Sequence, residues 1–322
     1  MAVVAGIDEA GFGPVLGPLV VSAAAFETPD RSADMSMWRL LAAAVSRRPA
    51  KRRARVPIAD SKKLYCRKRA RPLQHLERAV LAMLATTGRK PRSLARLLRI
   101  LAPEAAGLLR RYPWYAGADV ALPHTVSTVE VELAANSLAA AMDMAQVRLL
   151  SMRCQMIPAG EFNRIVRATR NKATTLFDTT MRLVAYLWRR QGGQPMRIHI
   201  DRHGARRSYL RGLQRAFESC DFKVIDESER LSAYRITAAG RSAEIDFTVD
   251  GEDKHLPVAL ASMLSKYLRE LMMLMLNRFW AERVPDLATT AGYYTDGRRF
   301  FREIQEAAGQ LGIDKDLLYR CR

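Results

Sequence analysis

The chain has 322 residues and carries 52 Lys and Arg against 33 Asp and Glu, a net charge of +19 with a pI near 10.3. Its 49% hydrophobic content suffices for a sizeable core, and the lack of any apolar run of 18 residues excludes a spanning helix. Such a positive excess points to polyanions as partners, with nucleic acid first and an anionic membrane surface as the competitor.

The opening residues lack the basic and apolar layout of an export signal. Cys66, Cys154, Cys220 and Cys321 are widely spaced and form no Cys-x-x-Cys pair. That argues against structural zinc and for free thiols in a reducing cytoplasm.

In chain order, Met1 to Ile7 is small, apolar and β-branched, and reads as a buried strand. It runs into Asp8-Glu9 and a glycine-rich turn, Ala10-Gly11-Phe12-Gly13-Pro14, continuing to Gly17-Pro18. Carboxylates entering a sheet core are costly unless they are paired or hold a cation, so this pair reads as half of a divalent-metal site. Leu19 to Phe26 is a second strand, paired with the first through the turn. Residues 28–57 look like an insertion, with helical periodicity over Ser36 to Val45 and a basic loop from Arg47 to Arg55. Asp60-Ser61-Lys62-Lys63-Leu64 follows, then a helix expected over Arg67 to Leu84.

From Gly88 to Gly160 short helices are expected at Leu94 to Leu101 and Ala105 to Arg111. A loop at Tyr112 to Pro123 and a longer helix at Glu130 to Met152 follow. Asn163 to Arg190 reads as one amphipathic helix, Arg197 to Asp201 as a strand ending in a carboxylate, and 205–218 as helix. After a strand at Phe222 to Ile225, the runs Ser232 to Thr237 and Ala243 to Val249 suggest a hairpin. A long helix spans Pro257 to Phe279, dense in Leu and Met. This alternation argues for an α/β sheet with helices packed on it, and its site lies at the strand ends.

Three β-like runs end in acids: Ile7-Asp8-Glu9, His199-Ile200-Asp201 and Val249 to Asp253. Carboxylates converging from several strand ends suit Mg²⁺ or Mn²⁺. Two such ions serve phosphodiester cleavage, and the basic surface would hold the backbone. His199, Asp201 and His203 alternate as well and could line one strand face as a transition-metal site, although two histidines so placed are usually coincidence.

The opening segment, Gly6 to Pro14 with Gly17-Pro18, resembles the signature of type 2 ribonucleases H, the bacterial ribonuclease HII and HIII group. Asp60-Ser61-Lys62-Lys63-Leu64 is similar to that family's second motif. Asp201 stands where the family has its third acid, and Pro257 to Lys266 resembles its helix of small residues. Gly292-Tyr293-Tyr294-Thr295 is similar to its late Gly-Tyr segment. Asp250, Glu252 and Asp253 compete for the fourth acid, and counting back from Pro257 favours Asp253.

The resemblance implies a ribonuclease H-like fold with a mixed central sheet and helices on both faces. It implies one catalytic domain over 1–322 with helical insertions at about 28–57 and 85–158, and a helical segment at 257–322. The activity implied is endonucleolytic cleavage of RNA in RNA/DNA hybrids, leaving 3′-hydroxyl and 5′-phosphate ends. Two Mg²⁺ or Mn²⁺ ions on Asp8, Glu9, Asp201 and Asp253 would serve it, with no membrane and no obligatory protein partner. Nucleic acid would meet Gly11, Phe12, Gly13, Ser61, Lys62, Lys63, Lys266 and Tyr293, the glycine backbone approaching a 2′-hydroxyl. Phe12 departs from the pattern, standing where ribonuclease HII has Arg and HIII a small polar residue. It offers a stacking face in place of a phosphate contact. The alternatives are a nuclease of the same fold acting on DNA or structured RNA, and a non-catalytic nucleic-acid-binding protein.

Overall fold

Seven strands form one mixed sheet in the computed structural model, which describes residues 1–49, 55–117, 119–191 and 193–321. The strands are β1 (Ala2–Ala10), β2 (Leu19–Thr28), β3 (Arg148–Ile157), β4 (Met196–Asp201), β5 (Asp221–Glu227), β6 (Leu231–Ala238) and β7 (Arg241–Thr248). Their spatial order is β3-β2-β1-β4-β7-β6-β5. β1, β4 and β7 run parallel at the centre, while β2, β3, β6 and β5 pair antiparallel around them. The carboxyl ends of the three parallel strands therefore lie side by side. β1 extends past the expected Ile7, so Asp8 and Glu9 are strand residues opposite Ser22 and Val21.

The main helices are α1 (Gln74–Ala85), α2 (Thr128–Met144), α3 (Ala159–Thr169), α4 (Lys172–Gln191), α5 (Leu256–Ala281) and α6 (Tyr294–Gln310). Strand alternation sorts them onto the two faces. Val4, Val20, Ala24 and Phe26 face a core containing α1, α2 and α5. Val3, Ala5, Ile7, Ile198 and Ile200 face a second core built on α3 and α4. Asp8, His199 and Asp201, alternating with the second set, lie on the α5 face.

α5 crosses β1 so closely that a Cβ on Gly6 would stand 2.1 Å from Val258 N and 2.2 Å from the Pro257 carbonyl carbon. Only a residue without a side chain permits that approach. On the same side Glu77 of α1 is fully buried. Its carboxylate accepts from the His124 and Val126 amides and from the Tyr267 hydroxyl, which tethers the 124–126 loop to α5. Buried carboxylates persist where their lone pairs are filled in this way.

Several elements differ from the sequence expectation. The helix read over Glu130 to Met152 stops at Met144; Gln146 takes a left-handed φ of 53°, and β3 begins at Arg148. The residues after Gln146 bury Leu149, Met152, Cys154 and Met156, and β3 pairs with β2 at the sheet edge. Residues expected as one helix over Asn163 to Arg190 form two, divided at Arg170 with φ 51°. The Asn171 side chain then accepts the Ala173 amide and opens α4. Pro72 keeps 67–73 out of α1. The helix expected over Ser36 to Val45 is a single turn, Met37–Leu40, and Val45–Ser46 pairs instead with Val56–Pro57. Lys51, Arg52 and Arg53 of the basic loop lie outside the described residues. The hairpin at β6 and β7 forms as expected, turning on Ala239 and Gly240, both with positive φ. Among the described residues no helix is long and apolar enough to cross a membrane.

Candidate active site at the carboxyl ends of the parallel strands

Asp8, near the end of β1, is buried beneath α5. Its carboxylate accepts the Glu9 amide at 2.7 Å, and Ser262 lies beside it. Ser265 of α5 donates to the Asp8 carbonyl at 3.0 Å, locking this part of β1 to the helix. Asp201 closes β4, and its Oδ1 accepts the Gly251 amide at 2.9 Å. That bond fixes the short helical turn Gly251–Lys254 between β7 and α5.

The turn distributes three acids. Asp250, at a left-handed φ of 57°, points outward to Arg230 at 2.9 Å. Asp253 points to Lys63 at 2.6 Å. Glu252 alone of the three turns inward, toward Asp201 and Asp8, with its Oε1 3.9 Å from Lys62 Nζ. Asp253, expected as the fourth acid, points away from Asp8 and Asp201, and Glu252 is the acid of this turn that faces them. In a one-turn helix, adjacent residues point roughly 100° apart, and Gly251, tied to Asp201, selects which carboxyl faces the strands.

Electrostatics identify the same group. Burial, then the charge of Glu9 and that of Glu252, raises Asp8 well above the usual carboxylate range. Burial and Asp201 push Glu9 up to about 7. Asp201 rises to about 6 through burial and Asp8, and Glu252 to about 7 through burial and Asp201. Four carboxyls raised by desolvation and by one another form a site short of positive charge. The Glu252 Oε2 atom is buried without a hydrogen-bond partner. In donor chemistry this all-oxygen set, with an unfilled buried oxygen, suits hard divalent cations such as Mg²⁺ or Mn²⁺, although no three of its ligand atoms lie within 4.8 Å of one another.

The glycine turn lies next to this group and is held from two sides. Arg320 is buried and donates to the carbonyls of Gly11, Pro14 and Gly17, its guanidinium 4.8 Å from the Phe162 ring centre. Arg269, also buried, donates to the Leu16 and Ala291 carbonyls. Gly11, at φ 88°, leaves room for Arg269, since a Cβ there would meet its Nε at 2.5 Å. The Gly292 carbonyl accepts the Val15 and Leu16 amides, so the late Gly-Tyr segment docks on the turn. Neither arginine belongs to a motif read in the sequence. A clue was available only in their types: arginine is the side chain that spans several carbonyls at once.

The remaining expected residues take varied positions. Asp60 caps the Ser61–Leu64 helical turn by accepting the Lys62 amide. Ser61 is buried against Ser262 at 3.1 Å and faces the protein rather than solvent. Lys62 is exposed; partial desolvation opposes its charge, but Asp60, Glu252, Asp8 and Asp201 together hold it above the ordinary lysine range. Lys266 is half-buried between Glu270, at 2.7 Å, and the Tyr65 ring. Gly13 and Tyr293 are exposed beside the turn. Phe12 is only partly exposed, packed on the α4 side with Lys172 Nζ 5.5 Å from its ring centre. His203 does not join His199 and Asp201: it is buried among Phe177, Tyr209 and Phe247, with Thr180 on its Nε2.

The chain matches no protein-family model and no curated protein. Among solved structures it is similar to the RNase HII of Archaeoglobus fulgidus in its PCNA complex, with 16% identity, 99% of this chain and 94% of that chain covered, and a TM-score of 0.42. It is similar to ribonuclease H2 from Pyrococcus horikoshii OT3 at 14% identity, over 98% and 92% of the two chains, with a TM-score of 0.46. It is also similar to Bst-RNase HIII in complex with Mn²⁺, at 15% identity over 99% and 66%, with a TM-score of 0.43. Each of these is a type 2 ribonuclease H.

Proposed function

We propose that the chain is a divergent type 2 ribonuclease H, a metal-dependent endonuclease that hydrolyses RNA in RNA/DNA hybrids. What supports this reading is the gathering of Asp8, Glu9, Asp201 and Glu252 at the ends of the parallel strands, near enough to raise one another, beside a glycine turn in a chain of net charge +19. In this reading the whole chain is one catalytic domain working in the cytoplasm, its partner is nucleic acid, and no protein partner is required.

Asp8, Glu9, Asp201 and Glu252 would hold two Mg²⁺ or Mn²⁺ ions. When bound, such a pair supplies activation of water and stabilisation of the departing 3′-oxygen, giving 3′-hydroxyl and 5′-phosphate ends. The protein's own residues do the positioning. Lys62, exposed next to Glu252, is placed to meet a phosphate at the edge of the carboxyl group. The backbone of Gly11 to Gly13, held by Arg320 and Arg269, presents a rigid edge to the sugar. Discrimination of RNA from DNA would come from 2′-hydroxyl contacts along that edge.

Phe12 supports a second reading, a nuclease of the same fold with another substrate, because its ring is engaged with Lys172 and the core. Cleavage of matched hybrid, duplex DNA and double-stranded RNA in Mg²⁺ separates the two. Hybrid cut at least 10-fold faster than the others supports the hybrid assignment; equal or slower cutting removes it.

A further inference from the structure

One register step back from Asp201, on the same face of the sheet, a second group of metal-ligating side chains meets. His199 of β4 pairs directly with Asp246 of β7, and His199 Nδ1 lies 2.6 Å from Asp246 Oδ2. His255, at the start of α5, stacks on His199 with ring centres 3.6 Å apart and planes 9° from parallel. One ligand atom from each of His199, Asp246 and His255 lies within 4.8 Å of the other two.

The other oxygen of Asp246, Oδ1, is buried without a hydrogen-bond partner. The cations nearby are engaged elsewhere: Arg197 with Asp34 and Glu244, and Lys254 with the Thr248 hydroxyl at 3.1 Å. A cavity of about 230 Å³ opens on His199 and His255 and gives an entry path.

Two imidazoles and a carboxylate are a different donor set from the four carboxyls. Oxygen-only sites select Mg²⁺ and Mn²⁺, whereas imidazole suits Zn²⁺ and its neighbours among the transition metals. We propose that His199, Asp246 and His255 form a second metal site, for an ion of the Zn²⁺ or Co²⁺ class, separate from the carboxyl group around Asp201. Imidazole lone pairs lie in the ring plane, so face-to-face rings cannot both aim at one ion about 2 Å away. Binding therefore splays the stack. An ion so held would pin the start of α5 to β4 and β7. Glu252 lies three residues before His255, so the pin would also fix the turn that aims it. The proposal stands on these three residues and does not depend on the nuclease reading.

The test is Co²⁺ titration of tag-free protein in excess Mg²⁺, followed by visible absorption. Four chains are compared: wild type, His255→Ala, Asp246→Asn and Glu252→Gln, with folding of each checked by circular dichroism. The expected result is one equivalent of Co²⁺ with nitrogen-ligand absorption in wild type and in Glu252→Gln. Binding should be at least 10-fold weaker in both His255→Ala and Asp246→Asn. If wild type gives no such absorption, if either site variant keeps wild-type binding, or if Glu252→Gln loses it, the proposal is overturned. A site variant that fails to fold is replaced by His255→Gln or His199→Gln, read the same way.

Discussion

Lys63 holds Asp253 through both carboxylate oxygens, each 2.6 Å from its Nζ, and so keeps this acid on the outside of the turn whose inner face carries Glu252. The pair is about half exposed on both sides, and exposed ion pairs contribute little, about 0–1 kcal/mol. Asp253→Asn should therefore lower stability by less than about 1 kcal/mol. Thermal unfolding at low and high salt checks this, and a large, salt-independent loss would give Asp253 an interior role.

The four raised carboxyls make stability depend on pH and on divalent cations. Glu9 and Glu252 sit near 7 against an ordinary 4.5, and Asp201 near 6 against 3.8. The folded chain thus holds these protons more tightly than the unfolded chain does. Their contribution is complete at pH values below the ordinary 3.8 to 4.5 and is lost as pH rises through 6 to 7. His203 and His255, kept neutral by burial with values of about 3 and about 4, have the opposite slope below 6.5. The informative comparison is accordingly wild type against Asp201→Asn in chelator. The variant should gain melting temperature relative to wild type as pH goes from 5 to 8, and Mg²⁺ should stabilise wild type far more at pH 8 than at pH 5. A constant difference between the two chains would show that the carboxyls do not repel one another.

Arg320 fills three carbonyls of the glycine turn from a buried position. Leaving a buried carbonyl without its donor costs about 1–3 kcal/mol. Arg320→Ala should destabilise the chain by at least that much. Arg320→Lys, which cannot span the Gly11 and Gly17 carbonyls together, should fall in between. Both should slow cleavage more than they weaken nucleic-acid binding, because the turn is misplaced rather than lost. Denaturant unfolding alongside kcat and KM would reveal this; a wild-type midpoint for Arg320→Ala would refute the clamp.

Gly6→Ala places a carbon against backbone atoms of Pro257 and Val258 that cannot move independently of α5. Overpacking of this kind costs about 3 kcal/mol or somewhat more. The predicted outcome is a lowered unfolding midpoint together with reduced Mg²⁺ affinity, since α5 carries Ser262 beside Asp8 and follows Glu252. Unchanged Mg²⁺ binding in a destabilised Gly6→Ala chain would separate helix placement from the site.

Much of the architecture was legible because hydrophobic periodicity fixes which face of a strand or helix is buried. β1, β2, β4 and the β6–β7 hairpin follow from alternation and turn residues, and Asp8, Glu9 and Asp201 follow from acids at strand ends. Legibility failed where composition hid a change of period, as at the Ala-, Leu- and Met-rich passage from α2 into β3. It failed again where one left-handed residue, Arg170, split a helix. The choice between Glu252 and Asp253 could not be read from spacing, because it depends on Gly251 bonding to Asp201, fifty positions away in sequence. Arg269 and Arg320 were illegible for the same reason: their partners are backbone carbonyls brought near only by folding.

The central proposal is that Glu252, and not Asp253, completes the set of carboxyls serving the proposed cleavage of nucleic acid. Its most direct test is the initial rate of Mg²⁺-dependent cleavage of a labelled RNA/DNA hybrid by wild type, Glu252→Gln and Asp253→Asn, each verified as folded. The account predicts a loss of at least 100-fold for Glu252→Gln and a rate within about threefold of wild type for Asp253→Asn, the range of an exposed pair. An active Glu252→Gln, or an inactive Asp253→Asn, would contradict it.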